Sequence, residues 1–171
     1  MLGATRAVAR SAALASVAAF ALASALLAPA SAAGTPRCAT SGLDIWLNTA
    51  GNGAAGSIFY SLELTNLSGH ACTLVGYPGV SAANLGGRQL GSAAGREASQ
   101  TRVVTLAAGA SATATLRIVE AGNFPAPACR QVTAAGLRVY PPGQTSSRLV
   151  PFPFQTCSRA GPRVLAVRAV Q

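Results

Sequence analysis

Two neighbouring segments of the sequence alternate with a period of two, and this pattern restricts the fold more than any other feature. Residues 43–48 read LDIWLN and residues 57–66 read SIFYSLELTN. In each segment every second side chain is apolar, which places these side chains on one face of an extended chain. A helix would instead mix polar groups into its apolar face. The pattern predicts two half-buried strands, and the glycine-rich residues 49–56 between them predict a turn that joins them as a hairpin.

The remainder of the chain continues as short strands separated by turns rich in Gly, Pro, Ser and Asn. No segment after residue 33 shows a helical period. Because proline cannot donate to a strand ladder, Pro151 and Pro153 place their segment at the edge of a sheet. Seven or more short strands predict an all-β sandwich or barrel, and we expect an immunoglobulin-like antiparallel β-sandwich. The further strand segments are 102–106, 111–119, 135–140, 148–154 and 163–170.

The segment CTLVGYPGV, residues 72–80, predicts a strand that leads into a tight turn. Pro78 and Gly79 suit the two central positions of a type II turn, since proline fixes φ and glycine accepts a positive φ. Tyr77 is expected to pack its ring on the end of the sandwich while its hydroxyl bonds to backbone. The functional alternative is an aromatic platform for a ligand.

The first 32 residues have the features of a secretory signal peptide. Arg6 and Arg10 precede an uncharged apolar run, and Ala30-Ser31-Ala32 is a small-x-small cleavage pattern. We expect cleavage after Ala32, which leaves residues 33–171 as a single β-sandwich domain with no stable membrane span. A retained membrane anchor is the alternative. The predicted location is extracellular or associated with the cell wall.

All four cysteines follow the predicted cleavage site: Cys38, Cys72, Cys129 and Cys157. In an exported protein, an even set of separated cysteines indicates disulfides, and four cysteines permit three connectivities. A structural zinc site is not expected, because the spacing is not that of a metal knuckle and His70 is the only histidine. We predict neither a metal nor a cofactor.

Residues 33–171 contain eleven arginines, four carboxylates and no lysine, a formal charge of about +7. A positive surface favours anionic surroundings such as wall polymers, acidic lipids or nucleic acid. The arginines are spread singly along the sequence and do not cluster with aromatic residues, so nucleic acid is not the expected partner. The predicted partner is an anionic component of the cell envelope or another surface protein.

The sequence matches known catalytic and ligand-binding motifs only weakly. GNGAAG, residues 51–56, matches G-x-G-x-x-G, but a predicted strand follows it where a dinucleotide site requires a helix. There is no G-x-S-x-G elbow, and His70 is expected in a surface turn. Asn66-Leu67-Ser68 matches the N-glycosylation pattern. A hydrolase would depend on the four carboxylates, Asp44, Glu63, Glu97 and Glu120, whose spacing shows no catalytic pair.

Taken in order, several elements resemble the domain-of-unknown-function 4232 family of secreted and surface proteins from actinobacteria. They are Cys38 before a strand, LTNLSGHACTLVGYPGV at 64–80, VTLAAGASATATL at 104–116, Cys129, VYPPG at 139–143, and Cys157. The resemblance implies an exported, disulfide-bonded, immunoglobulin-like β-sandwich and brings no catalytic residue. It also favours sequential pairing of the cysteines, Cys38 with Cys72 and Cys129 with Cys157. Each disulfide would stabilise the fold by roughly 3–4 kcal/mol by restricting the unfolded chain.

The expected function is that of a non-enzymatic binding or structural module, which acts through loops at the ends of a rigid sandwich. The loops of interest are residues 51–56, 76–88 and 123–130. In the last, Phe124 lies among prolines, and we expect a rigid crossover there more than a recognition segment. The alternatives are an extracellular carbohydrate-active hydrolase that uses the carboxylates, and a carrier of a small ligand.

Overall fold

The computed structural model describes Gly3 and residues 34–171. The predicted signal peptide and its cleavage after Ala32 lie outside the described residues. The chain from residue 34 onwards folds into eleven strands, with only single turns of helix between them. The strands are β1 Leu43–Ala54, β2 Ser57–Asn66, β3 Cys72–Val75, β4 Gly79–Ala83, β5 Gln89–Leu90, β6 Gly95–Arg96, β7 Val103–Leu106, β8 Ser111–Val119, β9 Gln131–Tyr140, β10 Arg148–Cys157 and β11 Leu165–Val167.

The strands form two main sheets and one ribbon. The five-stranded sheet has the order β1-β2-β8-β11-β6, the four-stranded sheet has the order β10-β9-β4-β5, and β3 pairs with β7 alone. All pairs are antiparallel except β6 with β11, which run parallel. The predicted all-β, immunoglobulin-like sandwich is thus confirmed, while a purely antiparallel arrangement is wrong for this one edge pair.

A single apolar core joins the sheets, since alternate residues of each strand point inwards. On β1, Leu43, Ile45 and Leu47 are buried and the residues between and after them are exposed or half-buried, as predicted. On β8 the inward residues are Ala112, Ala114, Leu116 and Ile118. Alanines at two of these positions leave room for the facing sheet to approach closely.

The hairpin of β1 and β2 is confirmed, but the position of its turn differs from the prediction. Strand β1 continues through Gly51 to Ala54, with a register shift between Asn48 and Asn52. The turn is only two residues long, and Ala55 and Gly56 both have positive φ, at 45° and 71°. Two positive φ values are typical of a type I′ turn, whose twist matches that of the flanking strands. Most of the glycine-rich segment is therefore strand.

The predicted type II turn at Pro78-Gly79 is wrong. Gly79 is the first residue of β4, and the positive φ, 97°, belongs to Gly76 instead. Tyr77 is half-buried beside this turn, and its hydroxyl lies 3.2 Å from both the carbonyl oxygen and the backbone nitrogen of Ser99. The expected bond from the Tyr77 hydroxyl to backbone is therefore present.

Two further expectations are confirmed. Strand β10, which contains both prolines of VPFPF, lies at the edge of the four-stranded sheet. Residues 121–129, with a single helical turn at Ala126–Cys129, cross from β8 in one sheet to β9 in the other. Because Phe124 packs against the core, this segment is a crossover.

Both disulfides follow the sequential pairing. Cys38 bonds to Cys72 and Cys129 bonds to Cys157, and the paired residues are separated by 34 and 28 positions in the sequence. The first attaches the start of the domain to β3, where the backbone nitrogen of Cys38 also donates to the carbonyl oxygen of Thr73 at 3.0 Å. The second joins the crossover to the end of β10.

Asn66, at the end of β2, is fully buried and has hydrogen bonds on both ends of its carboxamide. Its Nδ2 donates to the carbonyl oxygens of His70, Leu106 and Ala107 at 2.8, 3.1 and 3.2 Å. Its Oδ1 accepts from the backbone nitrogen and hydroxyl of Ser68 at 3.0 and 2.7 Å. The side chain that glycosylation would modify is thus enclosed, so the N-glycosylation pattern does not mark a surface site.

We expect Asn66→Ala to lower the free energy of unfolding by about 2–3 kcal/mol, because it removes the donor to the buried carbonyl of Leu106 and to the carbonyls of His70 and Ala107. The control is Asn48→Ala on β1, where a half-buried asparagine accepts one exposed bond from the backbone nitrogen of Ala50. That change should stay within about 0.5 kcal/mol. Urea unfolding measures both, and equal losses would contradict a special role for Asn66.

Candidate functional site

A concave surface lies at the rim of the sandwich, between the ends of β2 and β8 on one side and β10 on the other. Its volume is about 300 Å³. That value lies at the lower end of the range of roughly 300–1,000 Å³ usual for small-molecule sites. We call it the aromatic cleft, and its walls comprise aromatic, aliphatic and polar side chains: Tyr60, Phe152, Phe154, Ile58, Ile118, Glu120, Gln131 and Gln155.

Three aromatic rings form one wall. The ring of Tyr60 meets that of Phe152 edge to face, with centroids 5.1 Å apart and an interplanar angle of 69°. Phe154 lies next along the strand, 5.9 Å from Phe152, with the two planes inclined by 29°. All three residues are half-buried, so each ring packs on the core and also keeps a surface open to solvent. The two phenylalanine rings therefore present adjoining, partly exposed apolar surface, which we call the platform.

Polar side chains border this platform. Glu120 follows β8 directly, Gln131 begins β9, and both are exposed. The Gln155 amide is partly engaged, because its Nε2 donates to the Thr133 hydroxyl at 3.0 Å. None of the residues that line the cleft is an arginine, although arginine is the only basic residue with a permanent charge after residue 33. The cleft therefore combines an apolar wall with carboxamide groups and a single negative charge.

Two of the three loops singled out from the sequence meet beside the cleft. The carbonyl oxygen of Gly56, in the turn, accepts a hydrogen bond at 3.0 Å from the backbone nitrogen of Glu120 and another at 3.0 Å from Nδ2 of Asn123. These bonds hold the tip of the β1–β2 hairpin against the end of β8. The third loop, residues 76–88, takes no part, and its tip instead borders the outer face of the four-stranded sheet.

Gly51 lies directly behind two side chains of the aromatic cleft. A Cβ atom at this position would lie 2.7 Å from Cε1 of Tyr60 and 2.8 Å from Cγ2 of Ile58. Both of these side chains line the cleft. The absence of a side chain at Gly51 therefore leaves the space that the Tyr60 ring occupies. This glycine, which belongs to the G-x-G-x-x-G match, has a packing role in place of a nucleotide-binding one.

The four carboxylates do not converge on the cleft. Glu120 alone lines it, and Asp44 lines a separate groove near β1. Glu63 accepts from the Ser61 hydroxyl at 2.8 Å. Glu97 is paired with Nε of Arg117 at 2.6 Å and with Nε of Arg168 at 3.3 Å. In residues 34–171 no group of three or more metal-ligating side chains lies close enough together to hold a metal ion.

Sequence reasoning missed the cleft, although it identified its parts. Tyr60 was expected only on the apolar face of β2, and Phe152 and Phe154 only as part of a proline-containing edge strand. The available signal was the spacing of the phenylalanines, because residues i and i+2 of a strand share a face. That the face borders Tyr60 depends on the strand order, which the sequence does not reveal.

A profile of the family described as Domain of unknown function (DUF4232) matches residues 38–171. The match spans almost all of the described chain and agrees with the resemblance carried by the cysteines and turn motifs. The curated proteins include no match to this chain. Among the described residues, no helix has the length and apolar character needed to cross a membrane.

We expect Gly51→Ala to displace the ring of Tyr60 and to destabilise the fold by about 1–2 kcal/mol, as overpacking usually does. The control is Gly53→Ala on the same strand, where an added Cβ meets nothing within 4 Å. It should leave stability within about 0.5 kcal/mol of wild type. Near-ultraviolet circular dichroism and urea unfolding measure the two effects, and a spectrum and stability of Gly51→Ala that match those of Gly53→Ala would show that the packing argument is wrong.

Proposed function

Because the chain belongs to the DUF4232 family, whose description states no activity, we propose a function from the geometry of the aromatic cleft. The protein is a non-catalytic binding module of the extracellular space or the cell envelope, and the cleft holds a neutral saccharide. The observation that carries this proposal is the pair of nearly parallel phenylalanine rings bordered by carboxamides and one carboxylate.

The aromatic wall suits a sugar ring in shape and polarity. One face of a pyranose presents mainly C–H groups, which favour contact with the π face of an aromatic ring and lose water on contact. Phe152 and Phe154 place two ring centroids 5.9 Å apart along β10, so the proposed ligand contacts both rings. Since the rings are already packed against the core, little side-chain entropy is lost when a ligand binds.

The polar rim supports a neutral ligand with many hydroxyls. Glu120 accepts hydrogen bonds, and the carboxamide of Gln131 can both donate and accept them, so each can pair with sugar hydroxyls. An anionic ligand would face repulsion from Glu120 and would find no arginine among the residues lining the cleft. The charge of this site therefore favours an uncharged saccharide.

The single carboxylate of the cleft supports binding without catalysis, and the disulfides support the proposed location. Hydrolysis of glycosides usually requires two carboxyl groups that flank the scissile bond, about 5–9.5 Å apart. Glu120 is the one carboxylate that lines the cleft. The proposed location is supported by the two disulfides, since such bonds persist in oxidising compartments.

The test is calorimetric titration of the protein with neutral oligosaccharides built from glucose, mannose, galactose, xylose or N-acetylglucosamine. We expect at least one series to bind, and we expect Phe152→Ala to weaken that binding about tenfold or more, because it removes a central ring of the platform. Glu120→Gln should retain binding, because the amide still accepts a hydrogen bond. Product analysis of the same mixtures by mass spectrometry should show intact oligosaccharides.

The matched control is Phe59→Ala, which removes a half-buried ring of β2 that does not line the cleft. It should leave the affinity unchanged. The proposal fails if no oligosaccharide series binds, or if Phe152→Ala binds as tightly as wild type. Cleavage that depends on Glu120 would favour the hydrolase alternative instead.

A further inference from the structure

Charge is divided unequally between the two sheets. Every carboxylate side chain of the described residues lies on the five-stranded sheet or immediately after one of its strands: Asp44, Glu63, Glu97 and Glu120. Four arginines on or near the same sheet balance them: Arg96, Arg117, Arg163 and Arg168. Within two residues of the strands of the four-stranded sheet there are five arginines and no described carboxylate: Arg88, Arg130, Arg138, Arg148 and Arg159.

The outer surface of the four-stranded sheet also exposes large apolar side chains. Leu85, in the turn between β4 and β5, is 95% exposed, and Leu149 on β10 is 56% exposed. A shallow groove between them is lined by Ala83, Ala135 and Pro151, among others. We call this surface, with the neighbouring Arg88 and Arg138, the basic face.

The apolar and cationic groups of the basic face lie next to one another. Arg138 is the register partner of Leu149 across the β9–β10 pair. A Cβ atom at Gly87 would lie 3.5 Å from Cδ1 of Leu149 and 3.6 Å from Nη2 of Arg138, so the β4–β5 turn lies beside both side chains. Leu85 therefore projects from a turn that lies next to the guanidinium group of Arg138.

We propose that the basic face docks on the surface of a bilayer that contains anionic lipids, with Leu85 as the inserted side chain. Arginines near an anionic bilayer are attracted to its headgroups, while an apolar side chain at the same surface gains by entering the acyl boundary. A dissolved anionic polymer would account for the arginines but would offer no apolar phase for Leu85 and Leu149. The combination of both groups on one face thus favours a lipid surface over a polymer.

The experiment is co-sedimentation of the disulfide-bonded protein with vesicles of phosphatidylglycerol and phosphatidylcholine, compared with vesicles of phosphatidylcholine alone. We expect binding to the anionic vesicles only, with a partition coefficient that falls as salt is raised. Leu85→Ser should lower partitioning about tenfold, because it removes the inserted side chain. Arg138→Gln should lower it about fivefold, the usual contribution of one basic residue near an anionic surface.

Two controls match these changes away from the basic face. Val103→Ser alters a 64% exposed apolar residue on β7, and Arg163→Gln alters an exposed arginine before β11. Val103→Ser should partition as wild type, and Arg163→Gln should fall by far less than Arg138→Gln. Because every variant carries the same N-terminus, a retained leader would shift all of them equally and leave these ratios unaffected.

Three results would overturn the proposal. They are equal partitioning onto neutral and anionic vesicles, partitioning of Leu85→Ser indistinguishable from that of Val103→Ser, and binding to soluble polyphosphate that is as tight as vesicle binding and unaffected by Leu85→Ser. The last result would identify an acidic polymer as the partner.

Discussion

The edge position of β10 is imposed by proline, and both proposed sites depend on it. Pro151 and Pro153 cannot donate backbone hydrogen bonds, so no further strand can form a regular ladder on that side of the sheet. Between and after them lie Phe152 and Phe154, whose side chains point towards the five-stranded sheet. Because no strand covers this edge, the two phenylalanines are only half-buried and remain accessible at the rim. The prolines also protect the exposed edge against pairing with a second molecule.

Successive side chains of β10 point alternately towards the core and towards the outer face, so neighbouring residues of this strand contribute to different proposed sites. Its even-numbered residues from Val150 to Thr156 point inwards and are buried or half-buried, while the odd-numbered residues from Leu149 to Gln155 are exposed on the outer face. The inward set supplies the platform of the aromatic cleft, and the outward set supplies Leu149 and Pro151 to the basic face. Gln155 is the exception, because it belongs to the outward set and also lines the aromatic cleft. A substitution of Phe152, Phe154 or Leu149 therefore changes one site with little direct effect on the other.

Local patterns explain how much of this architecture could be predicted from the sequence. The period of two identified β1, β2 and β8 with their inward faces, because side-chain alternation depends only on the neighbouring residues. The positions of the turns were harder to predict, because a turn segment often contains more than one glycine able to adopt a positive φ. Gly76 takes the left-handed conformation expected of Gly79, and β1 extends through Gly51 because its backbone fits beneath Tyr60 and Ile58. That fit is a tertiary contact, and no local propensity reveals it.

The proposed sites could not be predicted in this way, because each depends on which strands become neighbours. Tyr60 and Phe152 are 92 positions apart in the sequence and meet only after the two sheets pack together. The arginines look evenly scattered along the chain, yet the strand order collects all four described carboxylates on one sheet and leaves the other sheet wholly basic. The net charge of about +7 is thus distributed unevenly: the five-stranded sheet is balanced, the four-stranded sheet has five arginines, and Arg37 and Arg102 lie beside the β3–β7 ribbon. If the cationic surface rests on a bilayer, the aromatic cleft, which shares no lining residue with the groove of that surface, remains open to uncharged glycans.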